Sequence, residues 1–345
     1  QDERIGALEA LIANPPPIPP RAMTPADVAN PADTEIRVRG AFDRKGALAP
    51  RGFLSVLSDE PPEIAGDESG RKALARWLVD VDHGAGALTA RVAANRIWAH
   101  MIGRGLVRTV DNFGLTGERP THPEMLDYLA QTLIDSGWSV KALVREIALS
   151  RAFALSSRSS PASSAIDPDN RWVWRGHRRR LEPEALRDAM LAVSGALDRQ
   201  PLDSTVSYLG DQATAVGANK NRRRTNYPNR SVYLPVIRND LPELFQAFDF
   251  ADPHRTTGAR PQTHAVTQSL FMLNDDTVIS ASESLAARAL AWNVDGPEER
   301  VARLILTAFQ STATAEETTR VLAFIEEARE RRQQEGGDSP EFEAW

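Results

Sequence analysis

The 345-residue sequence predicts a mainly α-helical protein of two packed helical lobes, with a few short β-strands and a Pro-rich N-terminal strap. Three observations carry that prediction. Apolar residues recur at helical spacing through most of the chain beyond residue 70, Ser, Thr and Pro start signals and Gly stop signals bracket those runs, and period-two alternation is confined to short stretches. A hydrophobic content of 41% is enough to build a core in a chain of this length.

Taken in order, NPPPIPPRAMTPADVANPAD holds too many prolines for helix or ladder bonding, so residues 1–34 read as an extended linker or strap. In TEIRVRGAF, Ile36 and Val38 alternate with Glu35, Arg37 and Arg39, a short strand whose extended partner is expected at LSVL, 54–57. Leu74, Trp77, Leu78 and Val81 mark a helix over 71–82, and 88–102 forms a second that Gly103 ends as a left-handed cap. A third helix over 121–137 opens on Thr121 and Glu124, a reciprocal capping pattern, and ends at Gly137; a fourth over 139–153 starts from Ser139. These make a lobe over 35–155. The Ser-rich SSRSSPASSAIDPDN, 156–170, is the expected linker to a second lobe over 171–345. There, 182–197 is helical, 200–229 a long polar loop and RSVYLPVIR, 230–238, a strand; four more helices follow to residue 309, and Thr314 with Glu317 caps a last one ending near Gln334.

Winding 88–102 as a helix puts Leu88, Val92, Ala94, Ile97, Trp98, Met101 and Ile102 on an apolar arc, and Arg91 and Asn95 fall inside it. A buried guanidinium or amide without a partner is costly, so both are expected to be structural fasteners, with Asp111, Asp127 or the carbonyls of GLVRTVDNFG as partners. Arg96 and His100, one turn apart on the other side, offer a second reading. Together with Glu118 and His122 they are the candidate catalytic set, because histidine moves protons near neutrality.

RWVWRGHRRRLEPEALRD, 171–188, is the candidate ligand-binding run: Trp172, Trp174, Arg175, Arg178, Arg179, Arg180 and Arg187, with His177 among them. Indoles beside guanidinium groups suit stacking on sugar rings and clamping of sulfate, phosphate or carboxylate. The competing reading is a solvated face paired with Glu182, Glu184 and Asp188. NKNRRRTNYPNR, 219–230, adds a second basic cluster.

A net charge of −6 gives no global attraction to nucleic acid or an acidic membrane, and no recognised nucleic-acid module accompanies the basic runs. No apolar run reaches the ~18 residues of a membrane span. With no cysteine, disulfides and c-type haem attachment within the chain are excluded. No metal-ligand set is expected: DPDN, 167–170, lacks the downstream acid of a calcium loop and reads as a turn. Residues 1–20 do not read as a signal peptide, which leaves a chain that is not exported or the mature part of a longer precursor, and the initial Gln favours the second.

TARVAANRIWAHMIGRGLVRTVDNFGLTGERPTHPEMLDYLA, RRRLEPEALRDAMLAVSG, RSVYLPVIRNDLPELFQAFDFADP and TQSLFMLND, in that order, resemble the domain of unknown function 1553 family, the planctomycete D1 domain. The resemblance implies an extracytoplasmic protein, a companion c-type cytochrome domain or protein carrying any haem c, and a link to redox or complex-carbohydrate metabolism; an anionic polysaccharide is the partner that the Trp- and Arg-bearing run 171–188 suggests. It brings no established activity and no agreed catalytic residues, and leaves a carbohydrate-active hydrolase or oxidoreductase subunit as the alternative to a binding or scaffold module. The chain departs from the family by lacking the companion domain and by stopping at EFEAW, where relatives continue.

Overall fold

A computed structural model of the chain describes residues 25–58, 62–201, 227–234, 236–238 and 241–335. The prolines before residue 25, the polar stretch 202–226 with most of the second basic cluster, and the closing EFEAW lie outside the described residues. Among the described residues are eleven α-helices and one two-stranded antiparallel sheet, so the fold is mainly helical as the sequence predicts. Contacts divide the chain into two compact units, one ending at Arg179 and the other running on from Arg180.

The first unit opens with β1 (Thr34–Arg37) against β2 (Lys45–Ala49), Thr34 facing Ala49 and Glu35 facing Leu48. Left-handed Arg39 and Gly40 reverse the chain between them. The expected partner at 54–57 is a turn instead, because a nearby strand closes a shorter loop at lower entropic cost. The described end of the lead-in is tied down by its acids: Asp27 pairs with Arg71 and accepts the Ser69 N–H at 3.1 Å, and Asp33 accepts Arg51 Nε–H at 3.0 Å.

Four helices follow, α1 (Arg71–Val79), α2 (Gly86–Ile102), α3 (Pro123–Asp135) and α4 (Val140–Ala148). The helix α2 buries Ala90, Ala94, Trp98 and Ile102, spaced four apart, against Leu126, Leu129, Ala130 and Leu133 of α3 and Leu143 and Ile147 of α4. The two alanines let the neighbouring backbones approach closely; Leu88, expected on this face, is 42% exposed. Gly103 closes α2 at φ +104°, and Ser139 Oγ accepts the Ala142 N–H at 3.3 Å. The Thr121–Glu124 cap does not form. Thr121 is held by the Leu106 carbonyl, which accepts its N–H at 2.9 Å, and α3 begins from His122. Within the Ser-rich segment, Pro161 in the first turn starts a short helix, α5 (Pro161–Ile166), on a Ser160 cap.

The second unit comprises α6 (Pro183–Ser194), a 3-10 turn (Ser231–Tyr233), α7 (Glu243–Ala247), α8 (Val266–Asn274), α9 (Asp276–Leu290), α10 (Pro297–Phe309) and α11 (Ala315–Glu335). Its core joins Leu234, Leu244, Phe245 and Phe248 with Leu186 and Met190 of α6. The strand expected at 230–238 is not formed among the described residues of that stretch: Arg187, wholly buried on α6, gathers the chain there by donating to the Asn229 carbonyl at 2.9 Å, Ser231 Oγ at 3.2 Å and the Tyr227 carbonyl. Burial lowers the Arg187 guanidinium to about 10 against the opposing pull of Asp188, so it remains a cation near neutrality. Arg260 forms a two-bond fork with Glu184 at 2.7 and 2.8 Å, and the Thr314–Glu317 capping box is present. No helix among the described residues is long and apolar enough to cross a membrane.

Candidate functional site

The site is built on the loop that leaves α2. Asn95 is fully buried and acts as a two-way clamp: its Nδ2–H donates to the Val107 carbonyl at 2.9 Å, and its Oδ1 accepts the Val107 N–H at 2.8 Å. Gly105 makes room for this, since a Cβ there would sit 2.4 Å from the Val107 oxygen and 3.0 Å from both Asn95 amide atoms. Arg91 reaches Asp127 on α3 as a half-exposed ion pair. Asp111 takes no part in the fastening; it is exposed, with no hydrogen bond or ion pair among the described residues.

Against this loop lies a second, residues 167–179. Asp167 is buried with its carboxylate capping the Arg171 and Trp172 N–H groups, both at 2.9 Å, while its carbonyl accepts Trp174 Nε1–H at 2.9 Å. Burial opposes the Asp167 charge, but those two N–H bonds and the Arg171 and Arg175 charges outweigh it and hold the carboxyl below its usual range. Asn170 mirrors Asn95, donating to the Arg175 carbonyl at 2.8 Å and accepting its N–H at 3.2 Å. Asn170 and the β-branched Val173 both take left-handed backbones, at φ +51° and +54°, a conformation worth roughly 1–2 kcal/mol of strain at Val173 that the surrounding bonds hold in place. Glycine joins the two loops as well: a Cβ on Gly103 would meet Arg179 Cδ at 2.5 Å and His177 Cβ at 3.3 Å.

Between the loops is a cavity of about 10 Å3 lined by Trp98, Arg104, Arg108, Thr121, Asn170, Arg171 and His177, among others. Its electrostatics are one-sided. Burial first, then the charges of Arg104, Arg175, Arg108 and Arg179, push the His177 imidazole below its ordinary value, so it is neutral at pH 7. Arg104, Arg108, Arg171, Arg175, Arg178 and Arg179 make no ion pair with a carboxylate among the described residues. Arg104 donates to the Asp169 carbonyl at 2.9 Å and Arg179 to the His100 carbonyl, whereas Arg108 and Arg178 have no hydrogen bond among the described residues. Buried Trp98 Nε1 and Arg175 Nε also lack acceptors.

The expected ligand-binding residues separate on this frame. Trp172 is 64% exposed and meets His122 edge-on at 5.4 Å; Trp174 is half-buried, its indole N–H held by Asp167 and its ring 5.1 Å from the Arg175 guanidinium. Arg175, Arg178 and Arg179 belong to the first unit. Arg180 and Arg187 belong to the second, where Arg180 donates to the Thr263 carbonyl and stands over Phe248 at 5.2 Å, and Arg187 is buried. Among the described residues no hydrogen bond, ion pair or ring contact links Arg96, His100, Glu118 and His122 to one another. Arg96 and His100 are exposed, Glu118 is exposed with its N–H on Thr109 Oγ1, and His122 contacts Thr121 and Trp172. No group of three or more metal-binding side chains converges among the described residues. Of the residues lining the cavity, Arg171 and His177 belong to the basic run that the sequence singles out, whereas Arg104 and Arg108 follow α2 some 65 residues earlier, the separation of the Arg104–Asp169 bond, and no local signal marks them.

Compared with known proteins, the chain matches no curated protein and no solved structure. The model of the family described as PSD1, protein of unknown function (DUF1553), matches residues 70–325, a span that includes both loops of the site. That match covers more than half of the chain, which therefore belongs to the DUF1553 family.

Proposed function

We propose that the chain is a non-catalytic binding module that recognises an anionic glycan through the arginine- and indole-bearing face of its first unit. One observation supports this reading above the rest: six arginines between residues 104 and 179 form no ion pair among the described residues, in a chain that is acidic overall. Guanidinium groups held together repel one another, and an incoming anion removes that repulsion while filling forked donor sites. Exposed Trp172, next to Arg171 in the chain, adds a flat surface suited to a sugar ring.

The setting we propose is extracytoplasmic, beside a c-type cytochrome domain or protein, and the support for it is the family resemblance. Because these 345 residues hold no cysteine, covalently attached haem would be carried by the companion.

Calorimetric titration with sulfated, uronate-bearing and neutral oligosaccharides, and with a mixed-sequence polynucleotide, tests the reading. Binding of charged but not neutral glycans, weakened by salt and by the double substitution Arg171→Gln, Arg178→Gln, is the expected result. Equal binding of neutral glycans, or tighter binding of the polynucleotide with a steep salt slope, overturns it.

A further inference from the structure

The cavity between the two loops is lined by hydrogen-bond donors that have no acceptor. Arg108 makes no hydrogen bond or ion pair among the described residues, and Arg104 uses a single N–H, on the Asp169 carbonyl at 2.9 Å. Trp98, which also lines the space, keeps a buried indole N–H without a partner. The acid of this loop, Asp167, is already engaged by two backbone N–H groups. Buried donors are ordinarily satisfied, and the Trp98 indole N–H left open beside two half-buried guanidinium groups with spare donors marks a position where an acceptor belongs.

We infer that this cavity is a socket for one oxygen of a tetrahedral oxyanion, a sulfate or phosphate ester borne by the ligand; the inference rests on the binding-module reading and adds the group that is recognised. Size and charge both support it. A volume of about 10 Å3 admits one water-sized atom and no ring. Charge selects an anionic oxygen over a sugar hydroxyl, because Arg104, Arg108 and Arg171 all line the space, and the one carboxylate whose charge is felt by Arg171, that of Asp167, is taken up by two backbone N–H groups. A tetrahedral ester can insert one oxygen and leave the others for exposed Arg171 at the rim. Thr121, Asn170 and His177 add polar groups to the lining, which Gly105, Leu106 and Val173 complete, and an anion seated there makes protonation of His177 easier.

The test uses the whole chain and its Arg108→Gln and Arg145→Gln variants, Arg145 being an exposed arginine of α4 outside the proposed binding face. Thermal stability is followed with inorganic sulfate, inorganic phosphate and chloride at equal ionic strength, and the His177 ring is titrated by NMR with and without sulfate. Glycans carrying sulfate esters, phosphate esters or only uronates are then compared. Sulfate or phosphate should stabilise the protein where chloride does not and should raise the His177 midpoint. Arg108→Gln should weaken this about tenfold, the loss of one charge-assisted hydrogen bond, and Arg145→Gln by less than about twofold. Preference for sulfate or for phosphate identifies which ester is taken. If uronate glycans bind as well as sulfated ones and Arg108→Gln changes nothing, the socket is refuted while the module reading survives. If no charged glycan binds, the module reading fails with it. Should Arg108→Gln not fold, an unmoved His177 midpoint in the native chain refutes the socket alone.

Discussion

Replacing Asn95 with alanine should cost the first unit about 3 kcal/mol. The figure follows from what the substitution leaves behind. Asn95 is wholly buried and satisfies both polar groups of Val107, itself 2% exposed, at 2.8 and 2.9 Å. Each orphaned backbone group costs roughly 1–3 kcal/mol in the interior, and partial relaxation of the loop brings the pair toward the lower half of the summed range. Urea unfolding followed by far-UV circular dichroism measures the loss as a lower midpoint at an unchanged slope. The Asn95→Asp variant sharpens the test, since it keeps the acceptor for the Val107 N–H but turns a second oxygen toward the Val107 carbonyl; it should be no better than alanine. A loss below about 1 kcal/mol in the alanine variant, with the slope unchanged, would refute the argument that this clamp holds the loop. Gly105→Ala should destabilise through the same contact, because its Cβ would lie 2.4 Å from the Val107 oxygen, and the two substitutions should not be additive.

Three further outcomes follow from the same geometry. Asp127→Asn, which breaks the half-exposed pair with Arg91, should change stability by less than about 1 kcal/mol in the same urea assay, and a larger loss would show that the pair is a fastener comparable to Asn95. Arg187→Ala removes donors from the Tyr227 and Asn229 carbonyls and from Ser231 Oγ and should cost roughly 3 kcal/mol or more, seen as earlier melting of the second unit; wild-type melting would mean that the 227–231 segment is held by other contacts. His177 is held below its ordinary 6.5, so the unfolded chain binds its proton first and stability should fall as pH drops through that value, levelling below the folded-state midpoint. His177→Gln should flatten that slope, as should saturating sulfate; urea midpoints between pH 5 and 8 decide it.

Helix positions were legible because amphipathic spacing and end signals are local. Ser139, Gly103, Gly137 and the Thr314–Glu317 pair act where the sequence puts them, since each needs only residues within one turn. The Thr121–Glu124 cap fails for the opposite reason: a carbonyl 15 residues away, that of Leu106, competes for Thr121 and wins. Likewise RSVYLPVIR has strand composition, but a buried arginine more than 40 residues earlier gathers its start into a turn.

The sequence alone determined that the chain is mainly helical, that Asn95 lies on the inner side of α2, and that arginine and tryptophan concentrate in the run 171–188. Periodicity and composition decide such things. Only the tertiary structure decided that Arg104 and Arg108, just after α2, meet Arg171 and His177 of that run around a single cavity, while Arg180 and Arg187 go to a different unit. The reason is that a charge does not record which distant segment will face it. That is set by the packing of α2, by the Asn95 clamp, and by two glycines, Gly103 and Gly105, whose missing side chains let the loops close.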